Sequence, residues 1–366
     1  MISKLEQYFR SYFEKFKPYN GSWSYEDGVI LKGALNLYQA TKDESYWDFI
    51  ANYLQEFVDL DGNLKGYNID EYNIDHINAG KILFYAYEKT KDERYKKAIE
   101  NQMDQLRSHP RIPMGNFWHK NRYPHQVWLD GLYMALPFYA KYETTFNNHQ
   151  EYKDIYHQFM NVKNILKDKE KGLYYHGYDD SKSIFWCNST TGLSKNFWLR
   201  AEGWLLMALV DCVAAMDESI LLDHKDLENM AREAIVDVMD YQDEKSGLWY
   251  QVIDAMERDG NYLEVSGSAM VIYAILKAVR LNILDDSYVS KAIKGLNGIL
   301  DVYAYGEDEI CRIGGIVEVA GLGGFDGTNR DGSYEYYISE KVVSDEAKGI
   351  GPLMMAYAEY LYINID

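Results

Sequence analysis

The chain has 366 residues, with 57 acidic against 38 basic side chains and a formal net charge of −19. Aromatic residues make up 15% and tyrosine alone contributes 34, a ring content that excludes a disordered chain, while the negative balance makes nucleic acid and anionic membranes poor partners. The cysteines Cys187, Cys212 and Cys311 are odd in number and far apart, with no CxxC spacing, so neither a disulfide framework nor a zinc site is encoded in the usual way. The N-terminal stretch is amphipathic and charged rather than a signal peptide, and no run of ~18 apolar residues occurs. Six prolines and no Pro-, Ser- or Gly-rich linker leave no domain boundary, so a single domain over 1–366 and a cytoplasmic location are expected.

In chain order, polar-faced helices with one apolar stripe alternate with helices apolar nearly all round. The first kind is predicted at 1–17, 43–57, 92–106, 149–166, 224–241 and 286–303, several opening on Asp or Ser with Glu, a helix-start signal. The second kind carries a glycine near its start, at Gly28, Gly80, Gly131, Gly203, Gly267 and Gly351, and reads as buried. Short glycine–aromatic segments precede most of these apolar helices: GSWSY at 21–25, GNFWH at 115–119, GLYYH at 172–176 and GLWYQ at 247–251. DGNLKGYN (61–68) and GGIVEVAGLGG (314–324) take the equivalent places. Repeated hairpins that must each bury one face close into a ring, so the expected fold is all-α, an (α/α)6 toroid or six-hairpin barrel with short aromatic loops or strands at one mouth. The inner-helix N-termini would converge on that mouth, where free N–H groups and positive dipole ends favour an anion.

The inner-helix starts carry the candidate chemistry. They place Tyr25 with Glu26 and Asp27, then Asp75 with His76, Trp128 with Asp130, and Trp198 with Arg200, Glu202 and Trp204. Glu264 opens the fifth, Asp345 precedes the sixth, and the loops add His119 and His176. Carboxylates here can be simple helix caps. Capping does not account for an arginine in a first turn, where it opposes the dipole, nor for tryptophans around the charges. The alternative is a cup in which rings stack on sugar faces and Arg200 forks onto a carboxylate. His76, His109 and His125 read as ordinary surface or core histidines.

The stretch 109–142, HPRIPMGNFWHKNRYPHQVWLDGLYMALPFYAKY, closely resembles the unsaturated rhamnogalacturonyl hydrolases of glycoside hydrolase family 105. NIDHINAGK, GLYYHGYD and FWLRAEGW follow in matching order, and the likeness spans essentially the whole chain. The resemblance implies that Asp130, in WLDG, is the catalytic acid/base and that Asp75, in NIDH, is a second acid that holds substrate and assists it. It implies substrate contacts at His119, His176, Trp198, Arg200 and Trp204, with Tyr25 and Trp128 completing the cup. The implied substrate is an anionic oligosaccharide ending in a 4,5-unsaturated galacturonic acid. An acid protonates C4 of its vinyl ether, water adds at C5, and neither metal nor organic cofactor is required.

Three other readings remain. A family 88-like unsaturated glucuronyl hydrolase on glycosaminoglycan disaccharides shares the fold and the paired aspartates, and would want more basic residues for sulfates. A classical inverting glycosidase would act on saturated sugars through two separated carboxylates. A non-catalytic sugar-binding toroid would need the rings but not Asp130.

Overall fold

In a computed structural model, residues 2, 4–217, 220–306, 309–324 and 329–363 are described. The outer layer is α1 (Lys4–Lys15), with α2 (Tyr25–Thr41) inside it. Next come α3 (Glu44–Phe57) outside, α4 (Lys81–Thr90) inside and α5 (Glu93–Ser108) outside. After β1 (Gln126–Trp128) follow α6 (Leu129–Thr145) inside and α7 (Tyr152–Leu166) outside. After β2 (Gly177–Asp179) follow α8 (Leu199–Ala215) inside, α9 (Leu221–Met239) outside, α10 (Val265–Arg280) inside and α11 (Val289–Tyr303) outside. The chain ends with β3 (Ala304–Tyr305), β4 (Arg312–Ile313), β5 (Ile316–Val317), α12 (Tyr334–Ser339), β6 (Val342–Val343) and the inner α13 (Ala347–Ile363). The predicted alternation holds for all twelve barrel helices, and α12 is an addition that the sequence pattern did not announce.

Local chemistry explains the hairpins. Thr41-Lys42-Asp43-Glu44 and Thr90-Lys91-Asp92-Glu93 are the same device used twice. Each threonine hydroxyl donates back one turn, to Leu37 O and Ala86 O. Each lysine turns left-handed, at φ 60° and 58°, which ends the inner helix. Each aspartate then caps the next outer helix, accepting from Ser45 N and Arg94 N.

The inner helices pack around the ring in sequence, α2 on the turn before α4, that turn on α6, α6 on α8, α8 on α10 and α10 on α13, and α13 returns to α2. Closure is tight enough to demand glycine. A Cβ on Gly28 would lie 2.6 Å from Ala79 Cα, and one on Gly351 2.6 Å from Val29 O. Pro137 inside α6 cannot donate to Tyr133 O. The Lys81 ammonium takes that carbonyl at 2.6 Å and lies 3.3 Å from the centre of the Tyr133 ring.

One expectation changes. The second inner helix is split: Ile74–Gly80 is a tight 3-10 segment, and only from Lys81 is the chain α-helical. The glycine–aromatic loops pair as single bridges, such as Val58 with Leu64, Arg111 with Phe117, Lys167 with Tyr174 and Tyr250 with Leu263. The longer ladder at the mouth is β1 against β2, antiparallel, with Trp128 opposite Gly177. No helix among the described residues is long and apolar enough to cross a membrane.

Candidate active site

The inner-helix starts and the glycine–aromatic loops line one cavity of about 850 Å³ at the mouth of the barrel. Its wall includes Tyr25, Asp75, His119, Trp128, Asp130, Trp198, Arg200 and Trp204, so eight of the nine expected residues meet there. His176 is the exception. It is fully buried, behind Asp130 rather than on the wall.

The convergence of free helix N-termini is narrower than expected. Ser24 caps α2 through Asp27 N, Asn73 caps the 3-10 segment through Asp75 N, and Glu264 caps α10 through Ser266 N and Gly267 N. The cap positions of α6 and α8 are Trp128 and Trp198, which accept no bond from their helices through a side chain. Of these five helix starts, those carrying Asp130 and Arg200 are the two without a side-chain cap. Glu264 reverts to the plain capping reading.

Asp130, in the first turn of α6, is bonded at Oδ2 to His176 Nε2 at 3.1 Å. His176 Nδ1 is in turn 2.7 Å from the Tyr337 hydroxyl of α12. Burial holds the Tyr337 phenol protonated, well above its usual range. Tyr337 O–H can donate to Nδ1, the arrangement in which Nε2 carries the N–H that donates to Asp130.

Across the cup, Asp75 pairs with Lys120 Nζ at 2.5 Å and lies 3.6 Å from His119 Nε2. Burial opposes its charge, but Lys120 and His119 outweigh burial and hold its carboxyl below the usual range. Burial pushes the His119 imidazole down to about 4, so it is neutral at pH 7. Its ring stacks on Trp128 at 4.2 Å, and Trp128 stacks on Tyr123 at 5.0 Å, giving a flat aromatic wall. Gly131 makes room for it: a Cβ there would stand 3.3 Å from His119 Nδ1.

Arg200 is almost fully buried. Its Nε donates to Ser266 Oγ at 2.7 Å and its Nη2 to Val317 O of β5, with Glu264 Oε1 3.8 Å away. These contacts fix the guanidinium plane. Trp198 stacks on Tyr337 at 5.8 Å and Trp204 on Tyr133 at 4.9 Å, so the rings behind the cup are locked by other rings.

Several cavity residues had no role in the sequence reading: Lys120, Tyr123 and Lys348 among them. Lys120 directly follows His119 in FWHK, and charge opposite a buried carboxylate was the available signal. Burial raises Glu26 to about 7, although Lys348 draws it down. Among the described residues no group of three or more His, Cys, Asp or Glu is placed to hold a metal ion.

Glu202 is also absent from the cavity wall. It is fully buried in the first turn of α8, accepts from Tyr174 N, and leaves Oε2 without a partner. Burial raises its carboxyl to about 8. The folded state thus keeps a proton that the unfolded state loses above about pH 4.5, and stability falls by about 1.4 kcal/mol per pH unit from this group until pH 8. Urea unfolding at pH 5, 6.5 and 8 is expected to show this slope in the wild type relative to Glu202→Gln, and parallel curves would contradict it.

A ring of six inner helices around an acid-lined aromatic cup has the architecture of a glycoside hydrolase. The model of Glycosyl Hydrolase Family 88 matches residues 1–363. A solved family 105 glycoside hydrolase of C. acetobutylicum is 46% identical, with 93% of this chain and 94% of that chain covered and a TM-score of 0.89. Protein Atu3128 of Agrobacterium fabrum is 42% identical over 236 residues, which is 63% of this chain and 99% of the relative. The unsaturated rhamnogalacturonyl hydrolase YesR of Bacillus subtilis is 26% identical over 289 residues, 76% of each. The chain belongs to the glycoside hydrolases that the family 88 model describes, together with its family 105 relative.

Proposed function

We propose that this glycoside hydrolase removes the 4,5-unsaturated galacturonic acid from the non-reducing end of rhamnogalacturonan oligosaccharides. The observation that carries the reading is Asp130, a carboxylate held by a fully buried histidine in an aromatic cavity that also holds Arg200. The names of the family 105 and rhamnogalacturonyl hydrolase relatives support the choice of substrate.

In this reading Arg200 meets the uronic carboxylate, and Trp128, Trp198 and Trp204 flank the ring. Asp75, kept ionised by Lys120, accepts from a sugar hydroxyl. Asp130 in its acid form protonates C4 of the vinyl ether. The resulting carboxylate takes a proton from water as its oxygen bonds to C5. The hemiketal at C5 opens to a ketone, and the hydroxyl left at C1 collapses to an aldehyde, expelling the next sugar as an alcohol. One water is consumed and one glycosidic bond is broken. The three free thiols suit a reducing, cytoplasmic setting.

Incubation with unsaturated galacturonyl-rhamnose is expected to bleach the absorbance of the conjugated double bond. Bleaching of unsaturated chondroitin disaccharide instead would transfer the assignment to glycosaminoglycan fragments, and loss of neither would remove it.

A further inference from the structure

The inner helices also carry charge away from the cup. A cavity of about 270 Å³ lies among their middle and later turns and shares no lining residue with the catalytic cavity. A charged side chain reaches it from each of five consecutive inner helices: Lys32 from α2, Lys81 from α4, Lys141 from α6, Asp211 from α8 and Lys277 from α10. Glu88, also from α4, is the other acid of the wall.

The acids do not neutralise these lysines. Asp211 accepts from Lys277 Nζ at 2.5 Å and from Tyr273 OH at 2.6 Å. Burial opposes its charge, but Lys277 and Lys32 outweigh burial and hold its carboxyl at about 2. Glu359 of α13 attracts Lys32 but is bridged by Arg280 at 2.6 and 2.8 Å. Glu88 is exposed, where water and salt screen it. Lys81 donates to Asn78 Oδ1 and Tyr133 O, both uncharged. Lys32 and Lys141 make no hydrogen bond or ion pair among the described residues. A lysine near a helix end can simply answer the negative pole of that helix. That does not account for Lys32, in the middle of α2, or for Lys81, the first residue of α4. Burial lowers the Lys32 ammonium, and Lys277 and Lys141 add to the effect. Burial also holds Lys81 well below the usual lysine range, with Lys32 and Lys277 adding to it. The empty cavity therefore disfavours the charges that its own wall presents, and an anion between them would remove the repulsion.

We propose that this cavity binds a phosphate dianion, held by Lys32, Lys81 and Lys141 with Lys277 beside them, which ties α2, α4, α6 and α10 together away from the catalytic cup. The charge balance selects the ligand. With all four lysines protonated, four ammoniums face the two carboxylates of the wall, so two negative charges complete the site. The size agrees, since the cavity falls below the ~300–1,000 Å³ of sites for drug-sized ligands and suits a phosphate better than an oligosaccharide. Lysine binds phosphate as a point charge and needs no planar fork, which fits a wall without arginine. The site is independent of which sugar the cup takes.

The experiment is a calorimetric titration of the full chain with inorganic phosphate, against sodium chloride at matched ionic strength, with thermal melts in both. Saturable binding and a Tm that rises with phosphate and not with chloride are expected. Lys32→Met and Lys141→Met are each expected to weaken phosphate binding about tenfold, the size of one charge-assisted contact. Lys141 is exposed, so its variant tests the site without disturbing the core. Lys32→Met should keep or raise the Tm in phosphate-free buffer, because burial and its neighbours disfavour the charge it removes. Lys120→Met, in the cup, should leave phosphate affinity unchanged. Glycerol phosphate titrated in parallel separates the free ion from a phosphate group carried on a metabolite, and tighter binding of either names the source. Binding of neither, phosphate affinity unchanged in both Lys32→Met and Lys141→Met, or affinity lost in Lys120→Met instead, overturns the site.

Discussion

Asp130→Asn is expected to lower kcat on unsaturated galacturonyl-rhamnose by ~10²–10⁴-fold, the range that a positioned acid/base contributes. The substitution preserves shape and still accepts from His176 Nε2, whose bond to Oδ2 measures 3.1 Å in the native protein. It removes the proton donated to C4 and the base that then takes a proton from water. Tm and KM should therefore change little, which separates lost chemistry from lost folding. Tyr337→Phe gives a graded companion. It removes the hydroxyl 2.7 Å from His176 Nδ1 and with it the preference for the tautomer that donates to Asp130. A shifted pH profile with a smaller fall in kcat is expected. Wild-type-like turnover by Asp130→Asn would remove Asp130 from the mechanism.

Arg200→Met is expected to damage both binding and stability. Breaking a buried ion pair by deleting one partner costs ~3–5 kcal/mol, because the remaining charge is left without compensation. Here that charge is Glu264, fully buried 3.8 Å from Arg200 Nη2. Glu264 keeps its bonds from Ser266 N, Gly267 N and Val317 N, which places the expected loss at the lower end of the range. KM should rise ~10–100-fold with loss of the charge-assisted contact to the uronic carboxylate. Arg200→Lys should not rescue it, since one ammonium cannot bridge Ser266, Val317 and a substrate in a plane. Glu264→Gln added to Arg200→Met separates the effects. Chemical denaturation should show part of the stability recovered while KM stays raised, and recovery of both would refute a substrate role for Arg200.

The split second inner helix shows where periodicity reaches its limit. The stretch 74–90 reads as one apolar helix, yet Ile74–Gly80 is wound tighter. Gly28 packs directly on Ala79, and Gln102 from α5 donates to His76 O at 2.7 Å. These partners lie 26 or more residues away, beyond any local pattern. Tyr337 was hidden for the same reason. It arrives on the six-residue α12, too short to carry a periodic signal, and its partner His176 is 161 residues earlier.

By itself the sequence determined the alternation of polar-faced and apolar helices, the closed ring and the clustering of Asp75, Asp130 and Arg200 at one mouth. Those features follow from local periodicity and from the order of helix starts, both of which are one-dimensional. Only the tertiary structure decided which of the polar groups are free to act. It buried His176 behind Asp130, set Lys120 against Asp75 and turned Glu264 into a cap. Each of these depends on desolvation and on distances between residues remote in the chain, and neither quantity is written in the spacing of residues along it.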